Sequence, residues 1–330
     1  MKKVFIFALL FLVKDLFAQD PIFTQTFMIP ETLNSGFTGS TESTNVGMVQ
    51  RVQWPTLDLR VTTQYAFFDT WIDGMNSGVG LSILNHKEAT TNYTFTQVNF
   101  NYALAFQISR EWYFRPSVSI GLGMKNLGFQ NILLEDQINI GSGAINGGSI
   151  DPSLSNKQRT FFDFSSSLLF HNDNSWIGIT LKHLNKPNIS FTAQGDVPLN
   201  MFLSVHSAIE LPLAKMYMFR NMSEKHKFFI LSNFMNQGQY IRLDIGTQYV
   251  YDKFSIGFLA ATNPKKSQFD NPFLTSINAF VGIKWKGWKF SYSQDFTTTV
   301  IGNTGGVYEI VATYDFGFKN FRRLDCPKFF

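Results

Sequence analysis

The strongest constraint on the fold of this chain is a two-residue alternation of apolar and polar side chains. Successive side chains of a β-strand point to opposite faces of the sheet, so this alternation predicts strands with one apolar face. It recurs along the chain in segments of roughly ten residues, the length that a tilted strand needs to cross a bilayer. In one such segment we expect the odd positions to form the apolar side and the even positions the wet side: Leu57, Leu59, Val61, Thr63, Tyr65 and Phe67 against Asp58, Arg60, Thr62, Gln64, Ala66 and Phe68.

Alternation and turn residues together predict about fourteen strands. We predict an all-β fold, a transmembrane antiparallel β-barrel of the outer-membrane type, in which even strand numbers are usual. The strands cover residues 45–54, 57–69, 78–88, 93–109, 112–127, 159–170, 175–185, 199–211, 227–236, 240–252, 254–263, 276–285, 288–299 and 306–318.

The composition favours this barrel over a helical membrane protein. Charged residues make up only 16% of the chain, against roughly 25% in ordinary globular domains. No stretch after residue 20 approaches the ~18 uninterrupted apolar residues of a spanning helix. A soluble β-sandwich is the main alternative, since its strands alternate too. Aromatic residues near the short connections argue for a membrane-interface girdle instead: Trp112, Tyr113, Trp176, Trp285 and Trp288.

The connections alternate in length, which predicts the orientation in the membrane. Outer-membrane barrels have short periplasmic turns and long outer loops, so we expect both termini in the periplasm and the long loops outside the cell. Two connections depart from this rule, the long 212–226 on the periplasmic side and the short 237–239 on the outer side. We predict a signal peptide over 1–18, a periplasmic N-terminal segment over 19–44 that is a possible partial plug, the barrel over 45–318 and a periplasmic tail over 319–330. The sequence leaves open whether the lumen is open or plugged.

The chemistry-bearing residues give little reason to expect an enzyme, a cofactor or a metal. The net charge is +4 without a cationic stripe, and the single cysteine, Cys326, allows no internal disulfide. The five histidines show no metal-binding spacing, and nucleic-acid binding is not expected. Inward carboxylates suggest paired acid catalysis, but a charge-balanced lumen is the better interpretation. It would set Asp163, Asp244, Asp295, Glu309 and Asp315 against Arg60, Arg242, Lys284 and Lys289.

Five different short motifs, called blocks below, occur in order from residue 20 almost to the end of the chain. The first comprises Asp20, Pro21, Phe23 and Gln25, followed by Asn34 and Gly39; the others comprise Arg51, Gln53, Trp54 and Pro55; His183, Asn185 and Pro187; Gly305, Gly306 and Glu309; and Cys326, Pro327 and Phe329. They resemble the D-P-x-F-S-Q and L-N-P-A-x-A-G opening, R-x-Q-W-P, H-L-N-Q-P-N, G-G-x-x-E-I and C-P-[RK]-F of the PorP/SprF family. That family consists of outer-membrane proteins of the type IX secretion and gliding systems of Bacteroidetes. Ser35, Gly36, Thr38 and Lys186 depart from its usual residues.

The resemblance implies an outer-membrane protein that assists export or surface retention of a cognate secreted protein. Such a partner is often a large adhesin with a C-terminal sorting domain. The resemblance also implies attachment to the type IX translocon and to periplasmic lipoprotein components, and it makes the motif residues candidates for partner contact. Each motif residue also has a structural interpretation, such as a rigid hairpin tip at Trp54 and Pro55. The alternative function is an outer-membrane transport channel for small or hydrophobic solutes, similar to fatty-acid uptake barrels.

Overall fold

The computed structural model describes residues 19–128, 137–139, 141–145, 158–192, 195–212, 225–265, 273–298 and 304–317. The predicted signal peptide, 1–18, lies outside these residues, as do residues 129–136, 140 and 146–157 of the loop 128–158. The tail 319–330, with Cys326, Pro327 and Phe329, is outside them too. No helix in the described ranges is long and apolar enough to cross a membrane.

The described strands follow the predicted ones closely. A short break at Ala105 divides the fourth predicted strand into β4 and β5, which both pair with β6. The strands are β1 (Asn45–Gln53), β2 (Val61–Ile72), β3 (Ser77–Glu88), β4 (Thr94–Leu104), β5 (Phe106–Gln107), β6 (Tyr113–Asn126), β7 (Gln158–His171), β8 (Ser175–Lys182), β9 (Phe202–Leu211), β10 (His226–Gln237), β11 (Tyr240–Tyr251), β12 (Phe254–Thr262), β13 (Leu274–Trp285), β14 (Trp288–Thr297) and β15 (Val307–Asp315).

The sheet closes on itself without a free edge. Except for β4 and β5, which follow each other in one crossing, each strand is antiparallel to its neighbour in sequence; β1 pairs with β15, and β4 pairs with β6. With β4 and β5 counted as one crossing, this is a closed 14-strand barrel. Closure satisfies every strand edge, which is what a sheet in a hydrocarbon environment requires. The predicted fold class is confirmed.

Alternation directs one face of each strand outward and one inward. In β4 the outward Phe100 is 47% exposed, whereas the inward Asn101 is buried, as predicted. In β2 the predicted assignment is wrong, because Tyr65 and Phe67 lie inside and Phe68, which we expected inside, is 46% exposed on the outer face. The physical reason is that the inward aromatics of β2 pack on residues of the N-terminal segment, so this part of the lumen is apolar.

The two ends of the barrel differ in the length of their connections. The long-loop end carries 127–157, 183–201 and 263–273, and the short-turn end carries 172–174, 252–253 and 286–287. The two predicted exceptions are present as well, since 212–225 is long at the short-turn end and 238–239 is short at the long-loop end.

The aromatic girdle at the short-turn end is smaller than predicted. Trp285 and Trp288 face outward and are 55% and 39% exposed. Trp176 is 1% exposed and points into the lumen, and Tyr113 is buried as well. Alternation places their side chains on the inner face, where Tyr113 stacks on His171 and Trp176 packs on Phe27 and Phe37.

Residues 20–44 lie inside the barrel, and we call them the plug. The plug begins at the long-loop end, where Asp20 contacts His183. It ends at the short-turn end, where Ser43 bonds Asp315. Two short 3-10 helices, Pro30–Thr32 and Ser35–Phe37, lie between these contacts. The sequence left open whether the lumen is plugged, and in the described residues this segment runs through the lumen, where polar and apolar groups of the wall bind it. Residues 19 and 317 consequently lie at opposite ends.

Candidate functional site: the plug and its anchors

The plug packs against an apolar part of the wall. Phe27 and Phe37 of the plug join inward residues of β7 to β13 in one buried cluster: Leu169, Trp176, Ala208, Phe229, Leu231, Val250, Leu259 and Phe280. Phe23 and Ile29 join a second cluster with residues of β1, β2 and β15. The inner face is thus not the wet side throughout, because wall residues that face the plug bury apolar surface against it.

Glu309 is the first polar anchor of the plug. Its fully buried carboxylate accepts hydrogen bonds from the backbone N–H groups of Thr24 and Gln25, at 2.8 and 3.0 Å. It also pairs with the Arg51 guanidinium, which is buried beside it. The Gln25 side chain donates to the Glu309 carbonyl at 3.1 Å. Three of the five sequence blocks therefore meet at one buried ion pair.

His183 is the second anchor and stands between two carboxylates. Its Nε2 lies 2.8 Å from Asp20 Oδ2 and its Nδ1 lies 2.9 Å from Asp163 Oδ1. Burial disfavours the imidazolium, but the Asp20 charge and the two hydrogen bonds outweigh it and raise the pKa of His183 to about 9. The pKa of Asp20 is lowered despite its burial, because of the same His183. At neutral pH the anchor is thus an ionic one. The Asp20 N–H also donates to Gln237.

Asn34 forms the third anchor, at the start of the second 3-10 helix. Its Oδ1 accepts from the Gly36 N–H at 2.7 Å, so its amide NH₂ faces Leu168 O and His206 Nε2. His206 Nε2 must then accept, which leaves Nδ1–H to donate to Ser204 at 3.0 Å. A side chain at position 178 would overlap His206 and Asn34, which are within 2.6 Å of an added Cβ, so Gly178 makes room for this network.

Arg115 is an anchor that the sequence interpretation missed. Its guanidinium donates to the carbonyl oxygens of Gly36 and Thr38, at 2.8 and 2.6 Å. It is fully buried and lies over the Trp71 ring. The signal that was available is its inward position between Tyr113 and Ser117 on β6, where a lone arginine facing the lumen needs acceptors.

The remaining motif residues of the second and fourth blocks shape the backbone at the long-loop end. Trp54 has a positive φ of 56° and donates its N–H to Gly306 O at 2.9 Å. Gly306 also has a positive φ, and a Cβ there would lie 2.5 Å from Asp295 O. Pro55 sits against Gly305, and Gln53 accepts a bond from Arg51. The predicted rigid hairpin tip is therefore tied to the start of β15.

Gly39 lies at the point where the plug leaves the lumen, and only glycine suits this position. Its φ is 65°, and an added Cβ would lie 2.6 Å from Gly78 Cα on β3. Both a left-handed backbone and a close backbone approach exclude a side chain at this position. Pro21, near the other end of the plug, lines a polar cavity between plug and wall.

The block of His183, Asn185 and Pro187 shapes the connection that follows β8. The Asn185 amide donates to Phe162 O at 2.8 Å and accepts from the Phe164 N–H at 3.1 Å, so it continues the pairing of β7 beyond β8. Pro187 is buried, and its carbonyl accepts from Leu199. Asn188 then bonds Ser190, Gly195 and Val197 and closes the loop on itself.

The predicted charge balance is found with different partners. Arg242 pairs with Asp244 at 2.7 Å as expected. Glu309 pairs with Arg51, and Asp163 pairs with His183. Arg60 is exposed in the first connection rather than lining the lumen, because β2 begins only at Val61. Within the described residues, no group of three or more His, Cys, Asp or Glu is arranged to hold a metal ion.

The motif residues within the described ranges therefore converge on plug anchoring or on shaping of the long-loop end. The description of the family that matches is type IX secretion system membrane protein PorP/SprF, and the match spans residues 16–314. This chain belongs to the PorP/SprF family. As a PorP/SprF protein with a closed barrel, it is an outer-membrane protein of the type IX secretion system.

The solved structures that this chain resembles share little sequence identity with it. No curated protein matches the sequence. The P. putida toluene transporter TodX has 8% identity and a TM-score of 0.47, covering 88% of this chain and 93% of its own. The CymD monoaromatic hydrocarbon channel has 11% identity and a TM-score of 0.46, with coverages of 91% and 94%. The Acinetobacter baumannii outer membrane protein Omp33 has 7% identity and a TM-score of 0.43, with coverages of 84% and 100%.

Proposed function

We propose that this protein is a non-enzymatic barrel that assists export or surface retention of one cognate secreted protein. The cognate protein is of the adhesin type with a C-terminal sorting domain, and the barrel also docks periplasmic components of the secretion or gliding machinery. Family membership supports the secretion role. The observation that carries the rest of the proposal is the plug, which fills the lumen from one end of the barrel to the other.

A filled lumen favours a barrel that binds partner proteins over one that conducts solutes through an open pore. The plug is fixed by ionic and hydrogen-bonded anchors near both ends, at His183 and Arg115, and by buried clusters between them. Displacing it would break the hydrogen bonds from the Thr24 and Gln25 N–H groups to Glu309 and would expose the buried apolar clusters to water, which is unfavourable. A solute channel would need this packing to be undone before each transport event.

The two ends of the barrel offer separate surfaces for two kinds of partner. At the long-loop end the described residues of the connection 183–201 are held in place by hydrogen bonds of Asn185 and Asn188. We assign this end to the outer side and to the secreted protein. The short-turn end, with the connection 212–225 and the tail 319–330, faces the periplasm in this proposal and meets the machinery.

Affinity capture from native outer membranes tests the proposal. A tagged barrel should recover one very large secreted protein together with type IX components. Replacing loop residues 195–198 with Gly-Ser sequence should reduce recovery of the secreted protein only. A replacement of the same length at 141–145 serves as the control. Recovery of neither class of partner by the unaltered barrel would overturn the proposal.

Docking of the machinery is tested by removing residues 320–330. The tail carries Arg322, Arg323 and the final aromatic pair, which suit a docking peptide. Its deletion should abolish recovery of periplasmic components while the barrel still shifts on heating in gel electrophoresis, as folded barrels do. Unchanged recovery would show that docking uses another surface, such as 212–225.

The transport channel remains the competing function and has a direct test. Purified protein in planar bilayers should show little steady conductance, because the plug occupies the lumen. Large, stable conductance by the unaltered protein, or a small solute retained inside the barrel through purification, would favour the channel instead.

A further inference from the structure

An open cavity of about 360 Å³ lies at the long-loop end, apart from the plug anchors described above. Its volume falls within the range of small-molecule sites, roughly 300 to 1,000 Å³. The cavity is bounded by the start of the plug, the ends of β4 and β6, and the connection after β8. Its lining is largely apolar: Gln19, Tyr93, Lys125, Ile189, Ser190, Phe191 and Val197.

Lys125 is the one charged side chain in this lining. It is only 4% exposed. Its ammonium lies 5.2 Å from the centre of the Phe95 ring and 5.9 Å from that of Phe161. These two rings stack on each other and belong to one buried cluster with Ile189, which lines the cavity. Within the described residues, neither a hydrogen bond nor an ion pair engages this ammonium.

A second cationic side chain, that of Arg159, lies next to Lys125. Arg159 on β7 is the direct cross-strand partner of Lys125 on β6, and like charges in such a pair repel. Arg159 donates to the Asn188 carbonyl at 3.1 Å and has no ion pair among the described residues. The carboxylate of Asp20 acts on Lys125 electrostatically, but it is hydrogen-bonded to His183. A bound anion would relieve the repulsion.

We infer that this cavity is a binding site for a small amphipathic carboxylate. The carboxylate pairs with Lys125, and the apolar body lies against Ile189, Phe191 and Val197. This chemistry matches both the charged and the apolar parts of the lining. A buried ammonium favours an anion, and aromatic side chains favour an apolar chain or ring. Part of the lining belongs to the connection 183–201, which we assign to the secreted protein, but the inference follows from the lining itself and not from the secretion role.

The test is calorimetric titration in lipid nanodiscs, where free detergent does not compete for the cavity. The probes are 4-phenylbutyrate and its uncharged analogue 4-phenylbutan-1-ol. The unaltered protein should bind the acid at least tenfold more tightly than the alcohol. Lys125→Gln should weaken binding of the acid by tenfold or more and remove the preference. Lys265→Gln, an exposed lysine at the same end, changes the charge equally and should have no effect.

A second variant separates loss of the site from loss of folding. Val197→Trp fills the cavity from its rim, where Val197 is 45% exposed, and should abolish binding of the acid while Lys125 remains. Heat-dependent gel mobility confirms that each variant is folded. Equal binding of acid and alcohol, unchanged binding by Lys125→Gln, or no binding of the acid to the unaltered protein would each overturn the inference.

Discussion

The lumen wall has two chemically different sides, and the plug meets them in different ways. On the apolar wall, residues of β8 to β13 bury their side chains against Phe27 and Phe37: Trp176, Ala208, Phe229, Leu231, Val250, Leu259 and Phe280. On the polar wall, residues of β3, β4 and β6 to β8 leave a cavity of about 80 Å³ beside the plug: Ser82, Gln97, Asn99, Asn101, Ser119, Ser165, Ser167 and Thr180.

Stabilising the plug and positioning it are therefore the work of different contacts. Burial of apolar surface is not directional, so the apolar wall holds the plug without specifying where each residue lies. Hydrogen bonds and ion pairs have fixed geometry, and the anchors at Glu309, His183, Asn34 and Arg115 fix its register. The polar wall also keeps space for water beside the plug, since its hydroxyl and amide groups need partners.

Removing the plug should have the largest effect on this arrangement. A variant that lacks residues 20–40 exposes both walls to water and opens the lumen. We expect conductance in planar bilayers where the unaltered protein shows little, together with a lower melting temperature. A deletion variant that melts normally and stays silent would mean that the plug neither stabilises nor blocks the barrel.

Shortening a side chain on the apolar wall should be the next largest change. Phe229 is fully buried in the cluster around Phe27, so Phe229→Ala should lower the free energy of unfolding by about 3 to 5 kcal/mol. Phe258→Ala is the matched control, because Phe258 is 53% exposed on the outer face and acyl chains can fill the space. Urea titrations of both variants in lipid vesicles measure the difference. Equal losses would contradict the role of the plug cluster.

The His183 anchor should give a pH-dependent contribution. Because the pKa of His183 is raised in the folded state, its contribution is complete below the usual value of about 6.5 and is lost as the pH rises through about 9. On the order of 2 to 3 kcal/mol is expected at neutral pH, since one pKa unit is about 1.36 kcal/mol.

The comparison of His183→Gln with the unaltered protein measures this contribution. The difference between their free energies of unfolding should shrink between pH 7 and pH 10. His226→Gln, at the start of β10 at the short-turn end, provides a control without an ionic plug contact. A difference that stays constant over this range would show that His183 acts through its shape alone.

Exchanging a hydroxyl between the two walls should give the smallest effects and the sharpest contrast. Ser119→Ala on the polar wall should change the free energy of unfolding by no more than about 0.5 kcal/mol, because water can occupy the space. Ala208→Ser on the apolar wall should cost about 1 to 3 kcal/mol, because Ala208 is fully buried beside Trp176 and the new hydroxyl has no partner there. Urea titration of the two variants under one set of conditions decides this, and equal costs would mean that the walls are not distinct.

The sequence predicts the strands well because their signal is local. Alternation in β4, β11 and β15 needs only neighbouring residues, and a lipid environment outside makes the outward positions uniformly apolar. In β2 the same reasoning fails, because aromatic residues occupy both faces. Tyr65 and Phe67 face inward only because Phe23 and Ile29 of the plug lie opposite them.

The course of the plug through the lumen is decided by tertiary structure alone. Thr24 meets Glu309 across a separation of 285 residues, and Asp20 meets His183 across 163. No local pattern encodes such pairs, since each motif residue has an acceptable role as a turn, cap or surface group when taken by itself. The sequence determined a closed sheet in lipid whose strands have an apolar outer face, and it indicated the family. Only folding brought the motif residues together, because their contacts exist once the barrel has closed and excluded water from the charges inside it.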